Sequence, residues 1–141
     1  MTRSRLILVV VLFVCLTAIG CGGANTDLPS TAPVTGRVTY QDQPVSNGLV
    51  TFHPANGSKP ASGQTGKNGD FTLSTFERGD GAIFGKHKVT IVAYQEGQDV
   101  SIVSADKLAY AVPKKYVNEA TTSLEAEVKE GTNDIVLELK D

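Results

Sequence analysis

The side chains here that could do chemistry are two histidines, two cysteines, some acidic turns and a Lys-Lys-Tyr triplet. His53 and His87 are the only histidines. A metal site built on both needs a third ligand, and no His-x-His or Glu-x-x-His spacing supplies one. His87 alternates in phase with Val89 and Ile91, which predicts a hydrogen-bonded histidine pointing into a core. His53 follows Phe52 and is expected on the opposite face or at a strand end. Neither histidine has an acid partner evident in the sequence, and there is no Gly-x-Ser-x-Gly elbow to present a nucleophile. The runs Glu77-Arg78-Gly79-Asp80-Gly81 and Asn68-Gly69-Asp70 suggest cation loops. Both lack the series of oxygen ligands ending in a bidentate glutamate that calcium requires, and turn formation accounts for them. Asn56-Gly57-Ser58 fits a glycosylation sequon and reads as a turn. Lys114, Lys115 and Tyr116 form a candidate contact loop, or a solvated loop in which Tyr116 plugs one end of the fold. No catalytic residue, metal ligand or cofactor site is expected.

The cysteines carry a different chemistry. Arg3 and Arg5 precede an apolar stretch from Leu6 to Leu16, then small residues, then Cys21. A helix over Leu6 to Gly20 would span about 22 Å, short of a hydrocarbon core of about 30 Å. A charged head, a short apolar segment and a small-residue boundary mark a cleaved signal instead. The segment resembles a bacterial lipoprotein signal, with Ala18 standing where that pattern usually has leucine. The resemblance implies cleavage before Cys21 and lipidation of its thiol. Two or three acyl chains, at about 0.8 kcal/mol per buried methylene, would hold the protein to a membrane. The expected location is a bacterial envelope, at the outer membrane or cell surface rather than the inner membrane, because Gly22 replaces the aspartate that signals retention in some bacteria.

Removing residues 1–20 changes the balance of charge and thiols. Losing Arg3 and Arg5 lowers Lys+Arg from 13 to 11 against 15 acidic residues, a net of about −4. No basic stripe remains, so nucleic acid is not an expected partner. Cys15 leaves with the signal and Cys21 carries lipid, which leaves no thiolate ligand, cysteine nucleophile or disulfide. Stability must then come from a packed core.

The elements that position these residues follow a period of two. Residues 21–33 are small and polar and read as a tether. From Val34 the chain alternates through Tyr40, then through Gly48 to His53, Ser62 to Thr65, Asp70 to Ser74 and Lys86 to Tyr94. Leu124-x-Ala126-x-Val128 and Ile135-x-Leu137-x-Leu139 continue it. The Gly66-Lys67-Asn68-Gly69 turn is a hairpin signal. Val100 to Val103 is a candidate strand, and Ala109 to Tyr116 reads as loop. Seven or so short strands with regular turns predict an all-β, seven-stranded antiparallel β-sandwich over 34–141.

Several of these pieces, in order, resemble the carboxypeptidase-regulatory-like, transthyretin-like domain. They are Val34-x-Gly36-x-Val38-x-Tyr40, Pro44-Val45, Gly48-x-Val50-x-Phe52, Thr65 to Leu73 and Gly85 to Thr90. The tail from Val112-Pro113-Lys114-Lys115-Tyr116 to Asn133 is similar to small bacterial lipoproteins carrying that domain. His87 stands where the family often has tyrosine, and Gly66 where it often has aspartate. The resemblance implies a transthyretin-like sandwich serving as a secreted binding or scaffolding module, with a protein or glycan partner in the envelope. The fold's hydrolase branch uses histidines, an arginine and a Tyr-Arg-Gly-Ser tail, whereas this chain ends Leu137-Glu138-Leu139-Lys140-Asp141. Three functions follow: non-catalytic recognition or scaffolding, a small-ligand or glycan-binding accessory of an envelope enzyme, and a hydrolase with an unrecognised site.

Overall fold

The structure is a computed structural model that describes residues 27–98 and 107–141. Cys21 and the Val100 to Val103 segment lie outside those residues. The fold is all-β, with ten strands among the described residues, seven of them three residues or longer.

The alternation read from the sequence sets the first sheet. In β2 (Val34–Tyr40) the residues Val34, Gly36 and Val38 are buried while Thr35 and Arg37 are exposed. One flank of β2 carries β6 (Asp70–Thr72) and β3 (Gln43–Pro44), both antiparallel to it. The other flank carries β10 (Asn133–Leu139), parallel through the register Asn133↔Val34 to Leu139↔Tyr40. The second sheet is antiparallel throughout, in the order β5 (Ala61–Gln64), β4 (Leu49–Pro54), β8 (Gly85–Val92), β9 (Glu125–Val128). A two-stranded pair, β1 (Thr31–Ala32) with β7 (Ala82–Ile83), completes the described strands.

The two larger sheets bury one shared cluster. Val34, Val38, Phe71, Leu137 and Leu139 of the first meet Val50, Phe52, Val89, Ile91 and Val128 of the second. Phe52 and Phe71 touch across the layers with ring centroids 6.3 Å apart. Burying each such side chain is worth about 1.5–3 kcal/mol, which makes this shared layer the main source of stability.

Three features differ from the sequence expectation. The sandwich is not wholly antiparallel, because β10 pairs parallel to β2. Its predecessor β9 lies in the other sheet, so the chain changes layers at 129–132 and enters the first sheet in the direction of β2. The turn at 66–69 forms as expected, with the Gly69 amide donating to Gly66 O at 3.0 Å and Gly69 at φ +77. Its arms nonetheless join different sheets, held to each other by the Gly66 N–H to Asp70 O bond at 2.8 Å and by the Ser62↔Ser74 bridge. Finally, Thr31 and Ala32, which their composition assigns to the tether, pair with Ile83 and Ala82, and Ala32 is buried. The ordered domain therefore starts before Val34.

Gly36 shows why that alternating strand carries a glycine. A Cβ there would lie 2.0 Å from the Ile135 carbonyl oxygen and 2.8 Å from the tip of the Phe71 ring. The β2–β10 ladder and the Phe71 packing both occupy the space a side chain would need. Gly36→Ala is expected to cost at least about 2 kcal/mol, seen as a fall of about 8 °C or more in the thermal unfolding midpoint. Thr35→Ala, on the exposed side of the same strand, should change stability by no more than about 0.5 kcal/mol.

Candidate functional site

A cleft of about 740 Å³ lies beside the second sheet. Its walls come from the end of β4 (His53, Pro54), the start of β8 (Lys86, Lys88), the segment Asn118-Glu119-Ala120, and Glu125 on β9. Each wall has a local cause. Pro54 has no N–H to offer toward β5, the Ala55 N–H makes a last bond to Lys86 O at 3.0 Å, and the chain then turns, with Ser58 N–H bonded to Asn56 Oδ1 at 3.0 Å and Gly57 at φ +72. The sequon is thus an Asx turn. On the other side Asn118 organises its loop: its Oδ1 accepts from Ala120 N–H at 2.8 Å and its carbonyl from Thr122 N–H at 2.9 Å. The Thr122 hydroxyl then donates to Val89 O at 2.6 Å and fastens the loop to β8.

His53 projects from the outer face of β4 into this cleft. Its Nε2 lies 3.0 Å from Thr90 Oγ1, and its Nδ1 lies 3.5 Å from a Glu119 carboxylate oxygen. No acid partner for His53 is evident along the chain, and the fold supplies one from 66 residues downstream. No spacing rule could have found it, because Glu119 arrives on an irregular loop. The order hydroxyl, imidazole, carboxylate resembles that of acyl-transfer enzymes. Two features separate it from them. Thr90 is only 6% exposed, and its backbone is committed to the ladder opposite Thr51. A nucleophile needs access to substrate, and a hydroxyl this deeply covered offers little. The array ties the 118–122 loop to the sheet.

His87 points inward as the alternation predicts, 2% exposed with its ring 5.7 Å from that of Phe52. Its Nε2 is 2.7 Å from Ile83 O. A carbonyl only accepts, so Nε2 carries the hydrogen, and Nδ1 is left buried without a partner. Such a histidine packs and tethers β8 to β7.

The Lys-Lys-Tyr triplet forms a 3₁₀ turn, Lys114–Tyr116. Tyr116 is buried, and its hydroxyl donates to Lys140 O at 2.8 Å while accepting from Lys140 N–H at 3.1 Å. It is a fastener for the end of β10 and is not open for contact. Lys114 remains exposed, 6.0 Å from the centre of the Tyr110 ring, and Tyr110 stacks on Tyr94 at 5.2 Å and 25°. This aromatic pair went unnoticed in the sequence, because its members belong to no common strand pattern and meet only through the isolated Tyr94↔Tyr110 bridge.

The acidic loop is also accounted for. Both Asp80 carboxylate oxygens accept backbone amides, from Thr75 at 2.7 Å, Phe76 at 2.9 Å and Glu77 at 3.0 Å. Partial burial pulls the Asp80 carboxyl upward, but the amides of Thr75, Glu77 and Phe76 outweigh it and hold it below the usual carboxylate range. Among the described residues no group of three or more His, Cys, Asp or Glu side chains is gathered to hold a metal ion.

No family model matches the chain. No curated protein matches it either. Among solved structures it is similar to a DUF3823 family protein from Parabacteroides merdae, at 16% identity and a TM-score of 0.42, over 80% of this chain. The aligned region is 47% of that protein's length, so this chain spans about half of it.

Two measurements test these assignments. Asp80→Asn keeps the shape and removes the charge, and should cost about 1–2 kcal/mol at neutral pH. Because the folded carboxyl is held low, the stabilisation is present above the ordinary carboxylate range and is lost as pH falls through the folded value. The gap between wild type and Asp80→Asn in denaturant melts should therefore close on acidification. His53→Ala removes the tie to Glu119 and Thr90, and should lower the unfolding midpoint by about 4–8 °C, corresponding to about 1 kcal/mol.

Proposed function

We propose that this chain is a lipid-anchored envelope protein whose transthyretin-like β-sandwich acts without catalysis, in recognition or scaffolding close to a membrane. The observation that carries the non-catalytic half is how both histidines are engaged. His87 holds Ile83 from within the core, and His53 joins Glu119 to Thr90 at the foot of the cleft. The groups most able to move protons hold strands and loops in place.

The anchoring half rests on Arg3, Arg5, the apolar stretch and Cys21. With β1 beginning at Thr31, the tether reduces to residues 22–30, a reach of at most about 30 Å. A domain held that closely meets partners in the envelope rather than in bulk solution.

A second reading takes the cleft as a small-ligand or glycan site. Its volume falls within the range usual for ligand pockets, and Lys86, Lys88, Glu119 and His53 offer both signs of charge. A ligand present at 100 times its Kd adds about 2.7 kcal/mol and should raise the unfolding midpoint by more than about 10 °C. A rise of that size with one member of a glycan or metabolite panel would favour this reading over the first.

The first reading is tested by expressing the full chain in a bacterium that processes lipoproteins. The wild type should partition with membranes and incorporate labelled fatty acid, whereas Cys21→Ser should do neither. Wild type recovered unlipidated in the soluble fraction overturns the anchor. Ester hydrolysis that disappears in His53→Ala overturns the non-catalytic assignment.

A further inference from the structure

The free side of β10 is the longest unpaired strand edge among the described residues. β10 has seven residues and pairs only with β2, whereas the end strands β5 and β9 of the other sheet have four each. Its lateral directions can be read from two contacts. The Asn133 amide donates to Pro33 O at 3.0 Å, and the Ile135 carbonyl lies against Gly36, so the odd-numbered residues bond toward β2. The backbone groups of Asp134, Val136 and Glu138 therefore point away from the sheet. Lys140 shows the same direction, since both its N–H and its C=O meet the Tyr116 hydroxyl on that side. Tyr116 closes the far end of the edge and leaves Asp134 to Glu138 open.

The side chains along this open edge read acid, apolar, acid. Val136 is 62% exposed, and Asp134 and Glu138 flank it on the outer face. Asp42 borders the same shallow trough, and Arg37, the only cation lining it, is bound to Asp70 at 2.8 Å. Asp134, Glu138 and Asp42 make no ion pair among the described residues. The pattern decides between occupants. A second copy pairing antiparallel about Val136 would set Asp134 of each chain against Glu138 of the other, and like charges directly opposite are destabilising. The acids thus keep the edge from joining itself while leaving it attractive to a strand of opposite charge.

We propose that β10 is a docking edge for an extended segment of a protein partner, added as a further strand, with basic residues two positions either side of an apolar one. The proposal rests on the recognition reading above and names its partner class. Backbone hydrogen bonds to Asp134, Val136 and Glu138 would supply affinity, and the basic residues would face Asp134 and Glu138.

The test uses the full chain in detergent and a capped fluorescent peptide containing Lys-Thr-Val-Thr-Lys, with Glu-Thr-Val-Thr-Glu as its charge reversal. At low salt the basic peptide should bind at least about 10-fold tighter than the acidic one, and the preference should shrink in salt. Val136→Pro removes one outward N–H without touching the β2 ladder, and should weaken binding at least about 10-fold at an unchanged unfolding midpoint. Val136→Thr, which keeps the N–H, should bind within about 3-fold of wild type. Asp134→Lys with Glu138→Lys should reverse the preference between the peptides. Binding that survives Val136→Pro overturns the edge and leaves the recognition reading standing with another surface. Binding of neither peptide, or a dimer of the chain that Val136→Pro dissociates, overturns the proposal. Failure of the recognition reading itself appears separately, as His53-dependent hydrolysis.

Discussion

The parallel pairing of β10 with β2 is the constraint on which the remaining structure depends. It joins the two ends of the domain, Asn133–Leu139 lying along Val34–Tyr40. Closing so long a loop costs entropy that the pairing and the contacts around it must offset. Several interactions hold it in register. The Asn133 side chain bonds to Lys129 and Gly131, Tyr116 grips Lys140, and Tyr40 donates to Asp141. That last bond lowers the Asp141 carboxyl and raises the Tyr40 phenol from their ordinary values. The missing side chain at Gly36 is the condition for the two backbones to meet at all.

The candidate site follows from this closure. Tyr116 is fixed by the end of β10, and the segment after it is fixed by Asn118, Thr121 and Thr122. Glu119 is thereby delivered to His53 from the far side of the cleft. A carboxylate, an imidazole and a hydroxyl come into line because the loop has few other places to go. Thr90 is covered, and its strand pairs with β4 from His87 to Val92. The resemblance to a catalytic order is one of sequence along a hydrogen-bonded chain that ends on a buried hydroxyl.

Much of the fold was legible because a half-buried strand writes its orientation every second residue. The segments at Val34, Asp70 and Lys86 lie near their observed limits, the alternation from Ile135 to Leu139 falls inside β10, which begins earlier at Asn133, and the inward direction of His87 follows from its phase with Val89 and Ile91. Alternation says which way a side chain points, but it is silent about which strand lies alongside. The parallel partner of β2, the crossing of the 66–69 turn between sheets, and the brief strand at Thr31–Ala32 all depend on neighbours distant in sequence. The acid facing His53 and the Tyr94–Tyr110 stack were hidden for the same reason.

The sequence alone determined the class of structure, the absence of usable thiols in residues 22–141 and the expectation of a lipidated N-terminus at Cys21, because these depend on composition and local order. Tertiary structure decided which polar groups are engaged and which stay open. It chose the plug over the contact loop for Tyr116, gave Asp80 to three backbone amides, and left Asp134, Val136 and Glu138 on an unpaired edge. The reason is physical. Hydrogen bonds and burial are properties of what comes to lie next to a residue, and in a β-sandwich those neighbours are set by long-range pairing that no local window contains.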